Sequence, residues 1–497
     1  MPDRSDSTPN QSIRFVLDGN VVRVDGVEPT KSVLNYLREN LRRTGTKEGC
    51  AEGDCGACTV VLAELDGDGV RTRTVNACLQ FVPVLDGKAL FTVESIRQPD
   101  GSLHPAQEAM VRCHGSQCGF CTPGFVMSLW GLYVEHPPGT ARPDDKQVRT
   151  ALTGNLCRCT GYRPIIEAGH KMFDLPPALF DHEELVRQLV TIRRDRGLEY
   201  ACAGRRFFAP RTLAELVALR AEYPAATLLA GNTDVGLWVN KQLRDLGDIV
   251  YTGEVAELKA VTRYVGSIRI GAAVTLEDAY TALARYYPEL TEMWERFASP
   301  PIRNAGTLGG NVANGSPIGD SMPALIVLGA KVVLRSARGS RTLAMEDLYL
   351  GYQKTALAPD EVIEAVEVPY PAANQRFRTY KISKRYDSDI SAVCAAFALR
   401  LDGAIIKECR IAFGGMAATP KRAAHAEAAL IGQSWSAAAA HAAGALLASD
   451  FAPLTDLRAG AAYRLKVAQN LLQRFYLETR PIEPLSASQV SVFAACR

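Results

Sequence analysis

Apolar and polar residues alternate in short runs over the N-terminal part of the chain, and glycine turns separate the runs. This alternation predicts β-strands in the segments "IRFVL", "VVRV", "CTVVLAEL", "VRTRTVNACL" and "ALFTVESI". One segment differs, because "SVLNYLREN" (32–40) places its apolar residues at helical spacing. We therefore expect a compact α+β unit over residues 11–97, in which one helix crosses a small sheet.

The spacing of apolar residues becomes helical after residue 97. It predicts short helices in the segments "PAQEAMVRC", "TPGFVMSLWGLYVE", "DDKQVRTALTG" and "PIIEAGHKMF". In the second of these, Thr122 is the expected N-cap and Pro123 the first helical residue. We expect a small helical bundle over residues 98–178. The next residues, 179–203, have a weak pattern and runs of charge, so we interpret them as a linker on the surface.

Strands and helices alternate in the remainder of the chain. Strands are predicted over residues 204–378 in the segments "ATLLAG", "DIVYTG", "SIRIGAAV" and "AKVVLRS". Thr212 and Glu215 fit a capping box at the start of a helix. Residues 379–497 combine two strands, "SAVCAAFALRL" and "ECRIAFGG", with alanine-rich helices. The pattern as a whole predicts a multidomain α+β protein.

The composition is ordinary for a globular protein, and it argues against some classes of function. The 497 residues are 47% hydrophobic and 22% charged, and their formal net charge is +2. This charge offers no electrostatic basis for binding nucleic acid or an anionic membrane. The N-terminus "MPDRSDSTPNQS" lacks an apolar signal region, and no uncharged apolar run reaches the roughly 18 residues of a membrane span. We expect a soluble, cytoplasmic protein.

The thirteen cysteines are distributed unevenly, with nine in the first 159 residues. A disulfide framework is typical of short secreted chains, so metal ligation is the better interpretation of this cluster. The remaining four cysteines are scattered, and we expect them to be small buried hydrophobic residues: Cys202, Cys394, Cys409 and Cys496.

The first cysteine set consists of Cys50, Cys55 and Cys58, in C-x4-C-x2-C spacing, followed by Cys78. This is the plant-type ferredoxin spacing, which indicates a 2Fe–2S cluster. The intervening glycines, Gly49, Gly53 and Gly56, are expected to give the loop positive φ angles. A structural zinc ion is the alternative, although zinc sites usually pair two C-x2-C units.

The second cysteine set consists of Cys118 and Cys121, in C-x2-C spacing, and of Cys157 and Cys159, in C-x-C spacing. In isolation these four residues could hold zinc. Their position directly after the first set, and the glycines around them, favour a second iron–sulfur cluster.

Two loops rich in glycine and asparagine follow, "LLAGNTDVG" (228–236) and "TLGGNVANGSPIGD" (307–320). Neither matches G-x-G-x-x-G or a P-loop. Both nevertheless offer what a diphosphate group requires, since glycine backbones allow close approach and expose runs of N–H donors. One such loop is more often an ordinary turn, but two in succession favour a diphosphate-containing cofactor.

Three cysteine-bearing segments, "KEGCAEGDCGACTV", "QCGFCTPG" and "LTGNLCRCTGYRPI", resemble the iron–sulfur part of the molybdenum hydroxylases, the xanthine dehydrogenase and aldehyde oxidase group. The resemblance implies a β-grasp 2Fe–2S ferredoxin domain over 11–97 and a four-helix-bundle 2Fe–2S domain over 98–178. It also implies an α+β FAD-binding domain over 204–378, with a C-terminal α+β subdomain over 379–497. The eight cysteines of the two sets would be the cluster ligands.

The two glycine loops also resemble the flavin part of this family, and so do "GYQKT" and "YKISKRYDSDISAV". The resemblance implies that Tyr352 contacts a nicotinamide dinucleotide. It further implies that the residues contacting FAD are Leu228, Leu229, Ala230, Gly231, Asn232, Thr233, Asp234, Val235, Phe297, Thr307, Leu308, Gly309, Gly310, Asn311, Asp320, Ile363 and Lys381.

Two one-electron clusters beside a flavin form a relay, and such a relay needs no catalytic side chain beyond the redox cofactors. The chain ends after the flavin region, so the resemblance implies a partner large subunit that binds the molybdenum cofactor, in a dimer of heterodimers. By these motifs the chain is similar to the small subunit of bacterial xanthine dehydrogenases. Electrons from hypoxanthine or xanthine would pass through the second cysteine set, the first set and FAD to NAD+. Two alternatives remain: the same relay for an aldehyde or an N-heterocycle, and a zinc-stabilised scaffold without enzymatic activity.

Overall fold

The computed structural model describes residues 11–490, which form two compact units. The first unit contains residues 11–257 with the short segments 275–277 and 299–307. The second contains residues 258–274, 278–298 and 308–490. The following paragraphs treat each unit by itself.

The helices are α1 (Val33–Asn35), α2 (Pro105–Arg112), α3 (Thr122–Glu135), α4 (Asp145–Leu152), α5 (Arg163–Lys171), α6 (His182–Ile192), α7 (Leu213–Glu222), α8 (Val235–Asn240), α9 (Leu276–Ala284), α10 (Thr291–Glu295), α11 (Pro300–Ala305), α12 (Leu308–Asn314), α13 (Ser321–Val327), α14 (Ala424–Leu430), α15 (Ala437–Asp450), α16 (Ala461–Thr479) and α17 (Ala487–Val490). The strands are β1 (Ile13–Leu17), β2 (Asn20–Val24), β3 (Thr59–Asp66), β4 (Gly69–Asn76), β5 (Ala89–Phe91), β6 (Leu198–Cys202), β7 (Arg205–Ala209), β8 (Thr227–Leu229), β9 (Ile249–Tyr251), β10 (Val261–Tyr264), β11 (Ser267–Gly271), β12 (Lys331–Ser336), β13 (Gly339–Ala344), β14 (Tyr349–Gly351), β15 (Lys354–Thr355), β16 (Val362–Pro369), β17 (Gln375–Ile382), β18 (Val393–Asp402), β19 (Ile405–Gly414) and β20 (Lys421–Arg422).

The predicted N-terminal α+β unit is confirmed. Its sheet has the order β2-β1-β5-β3-β4, in which β1 and β5 are parallel and the other neighbours are antiparallel. This is the strand order of a β-grasp fold. Helix α1 continues as a π-helical turn over Tyr36–Asn40, and Leu34 and Leu37 bury their side chains in the same core as Phe15 of β1.

The four helices predicted after this unit are also confirmed, as α2 to α5. They share an apolar core that includes Phe125 and Leu129 of α3. The predicted cap is wrong by one residue, because Cys121 is the N-cap and makes no side-chain cap hydrogen bond. The Thr122 hydroxyl donates instead to Ser116 Oγ at 2.7 Å.

The segment 179–203 is not the surface linker that its charge suggested, because it contains helix α6. Leu185, Leu189 and Ile192 form one buried face of α6, which packs on Val16 of β1 and Ala63 of β3. The charged residues that hid this pattern lie on the opposite face of the helix. The boundaries of the other four predicted segments stay predictions.

A second sheet completes the first unit and has the order β6-β7-β9-β8. Its apolar residues join the core of the β-grasp sheet, and Tyr200 of β6 is fully buried there. The Tyr200 hydroxyl accepts from Val27 N at 2.9 Å and donates to Val27 O at 2.6 Å. The first cysteine loop and the first glycine loop therefore pack on one continuous core.

The second unit contains a five-stranded sheet of order β10-β11-β16-β12-β13 and a four-stranded sheet of order β17-β18-β19-β20. The predicted alanine-rich helices form as α14, α15 and α16, and they share one core with β18 and β19. Of the scattered cysteines, Cys394 and Cys409 are buried, Cys202 is half-buried, and Cys496 lies outside the described residues. Within residues 11–490, no helix has both the length and the apolar character needed to cross a membrane.

A cavity in the face of α6 should destabilise the first unit. Leu189 is fully buried, so we expect Leu189→Ala to lower the free energy of unfolding by roughly 2–5 kcal/mol. Val190, the next residue, is 55% exposed, and Val190→Ala should change it by less than about 0.5 kcal/mol. Denaturant unfolding of both variants measures the difference. Equal, small effects would restore the interpretation of a surface linker.

Candidate functional site: the cysteine and glycine loops

The four cysteines of the first set come together in two pairs. The Cys55 thiol donates a hydrogen bond to Cys50, which lowers the pKa of Cys50 to about 5. Cys58 and Cys78 form the second pair, and their hydrogen bond lowers the pKa of Cys58. Cys58 and Cys78 are buried, whereas Cys50 and Cys55 are half-buried.

Backbone N–H groups surround the sulfur atoms of this set. Cys50 Sγ accepts from the backbone N–H of Glu52 and of Cys55, both at 3.4 Å. Hydrogen bonds of this kind stabilise a ligating thiolate and tune the metal that it binds. The loop is thus shaped to carry negative charge on sulfur.

The glycines of the loop have two different physical roles. Gly53 and Gly56 have φ angles of +79° and +67°, as predicted. Gly49 does not, so its predicted positive φ is wrong; a Cβ there would lie 2.8 Å from Cys55 Sγ. Gly49 is therefore needed for the close approach of a sulfur atom rather than for its backbone conformation.

The second cysteine set is also paired, but it is more exposed. Cys118 pairs with Cys159, and both are exposed; Cys121 pairs with Cys157, and both are half-buried. Burial raises the pKa of Cys121 to about 12, and the hydrogen bond with Cys157 adds to this effect. Cys157 Sγ accepts from Thr160 N at 3.5 Å and from Thr160 Oγ1 at 3.2 Å.

The pairwise arrangement fits a binuclear cluster. In a 2Fe–2S cluster each iron takes two protein thiolates, whereas a structural zinc ion gathers four ligands around one point. Among residues 11–490, no group of three or more His, Cys, Asp or Glu side chains is placed to hold a metal ion. Two pairs of thiols in each set, with N–H donors on their sulfurs, suit the binuclear group.

The two cysteine loops touch each other through their backbones. Leu156 N, beside the ligand candidate Cys157, donates to Cys55 O at 3.0 Å. A Cβ on Gly56 would lie 2.4 Å from Gly154 O, and a Cβ on Gly124 would lie 2.1 Å from Gly56 O. The loops therefore meet where Gly56 and Gly124 leave no room for side chains.

Asn155 fixes this junction, and the sequence analysis did not find it. Its side chain is 4% exposed; Nδ2 donates to Gly56 O at 3.1 Å and to Thr59 Oγ1 at 3.2 Å, and Oδ1 accepts from Ser128 Oγ at 2.7 Å. Every polar atom of the amide is thus used. The only signal in the sequence is the position of Asn155 two residues before a cysteine.

The first glycine loop lies directly against the first cysteine set. Asn232 Nδ2 donates to Leu79 O, and Gln80 Nε2 donates to Gly231 O at 3.3 Å. A Cβ on Gly236 would lie 2.9 Å from Leu79 O. The residues after the ligand candidate Cys78 therefore form one wall of the loop.

This loop has the properties of a cofactor cradle. A Cβ on Gly231 would lie 2.0 Å from Ala305 O, so the backbone requires glycine there. Asn232 has a φ of +62°, and its buried Oδ1 atom has no hydrogen-bond partner in the protein. A buried acceptor without a donor is costly, and FAD carries hydroxyl and amine groups that can donate to it.

The second glycine loop belongs to the second unit from Leu308 onward, and it has similar features. A Cβ on Gly309 would lie 2.4 Å from Ala272 Cβ, so the loop approaches the end of β11 closely. Asn311 Oδ1 is buried without a hydrogen-bond partner. Thr307, at the edge of the first unit, forms a β-bridge with Thr275.

Two of the expected flavin contacts form a buried ion pair with each other. Lys381 Nζ donates to Asp320 Oδ2 at 2.5 Å and to Ser391 Oγ at 3.0 Å. Ser391 Oγ donates to Asp320 Oδ1 at 2.5 Å. The role of Ser391 was not predicted, because nothing in its local sequence distinguishes it from other serines that precede a strand.

Three expected cofactor contacts have other surroundings. Phe297 lies near Tyr280, with ring centroids 6.4 Å apart. Ile363 is buried in β16 opposite Leu334 of β12, and Tyr352 is 61% exposed in the turn between β14 and β15. Their roles in binding a dinucleotide, like those of the other loop residues, stay predictions.

Comparisons with known proteins agree with this arrangement along most of the chain. Residues 15–82 match the 2Fe-2S iron-sulfur cluster binding domain, and residues 92–170 match the [2Fe-2S] binding domain. Residues 201–371 match the FAD binding domain in molybdopterin dehydrogenase, and residues 378–479 match the CO dehydrogenase flavoprotein C-terminal domain. The chain belongs to the molybdenum hydroxylase family. It carries the iron–sulfur and FAD-binding domains of that family, and iron–sulfur domains rather than zinc scaffolds match its cysteine loops.

Individual relatives in the family cover the chain to different extents. Xanthine dehydrogenase/oxidase of Gallus gallus is 34% identical over 86% of this chain, and aldehyde oxidase 2 of Mus musculus is 30% identical over 97% of it. The chain spans only 37% and 40% of the lengths of these two relatives. A chain of reconstituted CO dehydrogenase from Oligotropha carboxidovorans is 30% identical, with a TM-score of 0.51; the match covers 54% of this chain and 94% of that one.

The junction between the two cysteine loops should not tolerate a side chain at Gly56. Gly56→Ala adds a Cβ 2.4 Å from Gly154 O, so we expect the two cysteine loops to separate and iron to be lost from both sets. Iron and acid-labile sulfide per chain measure this loss.

Gly119→Ala is the matched control for this variant. Gly119 also has a positive φ, +82°, and lies beside Cys118, but nothing lies within 4 Å of its Cβ position. This variant should lose only roughly 1–2 kcal/mol of stability, which is the cost of a left-handed backbone for a residue with a Cβ, and it should keep its iron. Equal iron loss in both variants would show that backbone strain, not the junction, is responsible.

The Lys381–Asp320 pair should be essential to the stability of the second unit. Asp320→Asn leaves the Lys381 ammonium, which is 3% exposed, without a counter-charge, so we expect a loss of roughly 3–5 kcal/mol in the free energy of unfolding and loss of bound FAD. Denaturant unfolding and FAD content measure these effects. The control is Asp360→Asn, because the partner Arg338 is 70% exposed and the pair should contribute less than about 1 kcal/mol. A stable, FAD-loaded Asp320→Asn protein would contradict the assignment.

Proposed function

We propose that this chain is the electron-transfer subunit of a cytoplasmic xanthine dehydrogenase. Its partner is a large subunit that binds the molybdenum cofactor and oxidises hypoxanthine and xanthine, in a dimer of heterodimers. Electrons leave the complex on NAD+. When bound, the two clusters supply one-electron transfer, and FAD supplies the exchange between single electrons and a hydride. The residues that hold these groups are the two cysteine sets and the two glycine loops.

The order of the loops within the first unit carries this proposal. The first cysteine set contacts the second set on one side, through Cys55 O and Leu156 N. On another side it contacts the first glycine loop, through Leu79 O and Asn232. The first set is therefore the middle element of a series, which is the order that a relay from a partner to FAD requires.

The surface around the second set supports the entry of electrons from a partner. Cys118 and Cys159 are exposed, and the apolar side chains of Phe120, Leu156 and Tyr162 are 49%, 39% and 38% exposed in the same loops. Exposed apolar side chains concentrated in one region are typical of a protein–protein interface. We infer that the molybdenum-bearing subunit covers this region.

The choice of substrate rests on the relatives. The Gallus gallus relative is named for xanthine, whereas the Mus musculus relative is named for aldehydes and is less identical. The substrate site would lie on the partner, so the same relay could serve an aldehyde or an N-heterocycle. Xanthine is the substrate that the more similar relative favours.

Visible absorbance of the natively purified complex tests the function. We expect anaerobic addition of xanthine to bleach the iron–sulfur and flavin bands, and subsequent NAD+ to restore them. A matched complex carrying Cys121→Ser, in which one predicted cluster ligand is lost, should bleach far more slowly with xanthine. NADH, which enters at the flavin, should still bleach the flavin band of this variant.

The outcomes separate the parts of the proposal. Bleaching by an aldehyde or an N-heterocycle but not by xanthine would show that the relay serves another substrate. Bleaching by xanthine that NAD+ does not reverse would contradict the acceptor. A colourless complex would contradict the relay altogether.

A further inference from the structure

Helix α8 connects the first glycine loop to the first cysteine set. It begins at Val235, inside the loop, and ends at Asn240. Asn240 Nδ2 donates to Cys78 O at 2.8 Å and to Ala51 O at 3.1 Å. One side chain therefore joins the two separate stretches of chain that supply the cysteines of this set.

The next residue places a positive charge at the same position. Lys241 Nζ donates to the backbone carbonyl oxygen of Cys50 and lies 3.5 Å from Glu52 Oε2. Glu52 itself donates its backbone N–H to Cys50 Sγ. An ammonium group and a carboxylate thus face each other beside one ligand candidate.

We propose that Lys241 and Glu52 set the reduction potential of the first cluster in opposite directions, with Asn240 as the positioning residue that holds the ligand segments together. This inference rests on the proposed function, because it assumes a 2Fe–2S cluster on Cys50, Cys55, Cys58 and Cys78. It goes further by naming residues other than the cysteine ligands that control electron transfer to the flavin.

The physical basis is the charge that reduction adds. Reduction of a 2Fe–2S cluster held here would add one electron without a proton, so the net charge of the site would fall by one. The Lys241 ammonium favours this additional negative charge, and the Glu52 carboxylate opposes it. Their side chains are 42% and 46% exposed, so water and salt weaken both effects without removing them.

Lys241→Gln and Glu52→Gln test the proposal as a pair. In the natively purified complex, an EPR-monitored titration with dithionite and mediators measures the potential of each cluster. We expect Lys241→Gln to lower the equilibrium constant for reduction of the first cluster roughly three- to tenfold, and Glu52→Gln to raise it by a similar factor. A tenfold change corresponds to about 59 mV for a one-electron couple. The second cluster should keep its potential in both variants.

Two further lysine variants separate charge from structure. Lys241→Arg keeps the charge and should restore the wild-type potential. Lys31→Gln removes another ion-paired lysine of the same unit, whose partner is Glu39 at 2.7 Å, and should leave both clusters unchanged. Shifts of the same sign in Lys241→Gln and Glu52→Gln, or equal shifts of both clusters, would overturn the proposal.

Asn240→Ala tests the positioning role. Loss of its bonds to Cys78 O and Ala51 O should reduce iron at the first cluster, seen as a weaker EPR signal, while the second signal keeps its intensity. Retention of both signals at full intensity and wild-type potential would overturn this role. If the wild-type complex shows no iron–sulfur signal, the proposed function fails; two normal signals with unmoved potentials would remove only the present inference.

Discussion

The backbone of Gly56 meets two other backbone segments so closely that no side chain fits between them. The carbonyl of Gly154 lies against the Cα of Gly56, and Gly124 of helix α3 packs against the carbonyl of Gly56. Two residues without a Cβ, Gly56 and Gly124, are required at this point, and the amide of Asn155 donates to Gly56 O and Thr59 Oγ1 beside it. Because the contact is made by backbone atoms, it fixes the two cysteine loops relative to each other more firmly than flexible side chains could.

This contact explains how one compact unit can hold two cysteine sets in different environments. Cys58 and Cys78 are buried, whereas Cys118 and Cys159 lie at the surface. Burial protects a redox group and changes its potential, and exposure allows electrons to enter from another protein. The junction permits both, since Leu156 N–H and Cys55 C=O connect the loop of the first set to a loop that reaches the surface.

The sequence predicted those features that depend on local pattern. Cysteine spacing identified both sets, and the alternation of apolar residues predicted the β-grasp strands, because both signals lie within short stretches of chain. Features that depend on distant partners were missed. The buried face of α6 can be recognised only together with the sheet that it covers. Asn240 contacts Cys78, which lies far away in sequence. The positive φ expected at Gly49 is wrong, since the role of this glycine depends on the position of Cys55 Sγ.

Helix α8 shows why the cysteine and glycine loops of the first unit cannot be understood separately. A helix of six residues is far too short to be stable alone, so its contacts must hold it in place. Both ends contact residues 50–80: Asn232, just before the helix begins, binds Leu79 O, and Asn240, at its last residue, binds Cys78 O. The first glycine loop therefore takes its shape from the segment that carries Cys78. A change in the packing of either loop must alter the other. The same contacts therefore give the glycine loop its cofactor-binding shape and hold the cysteines of the first set in place.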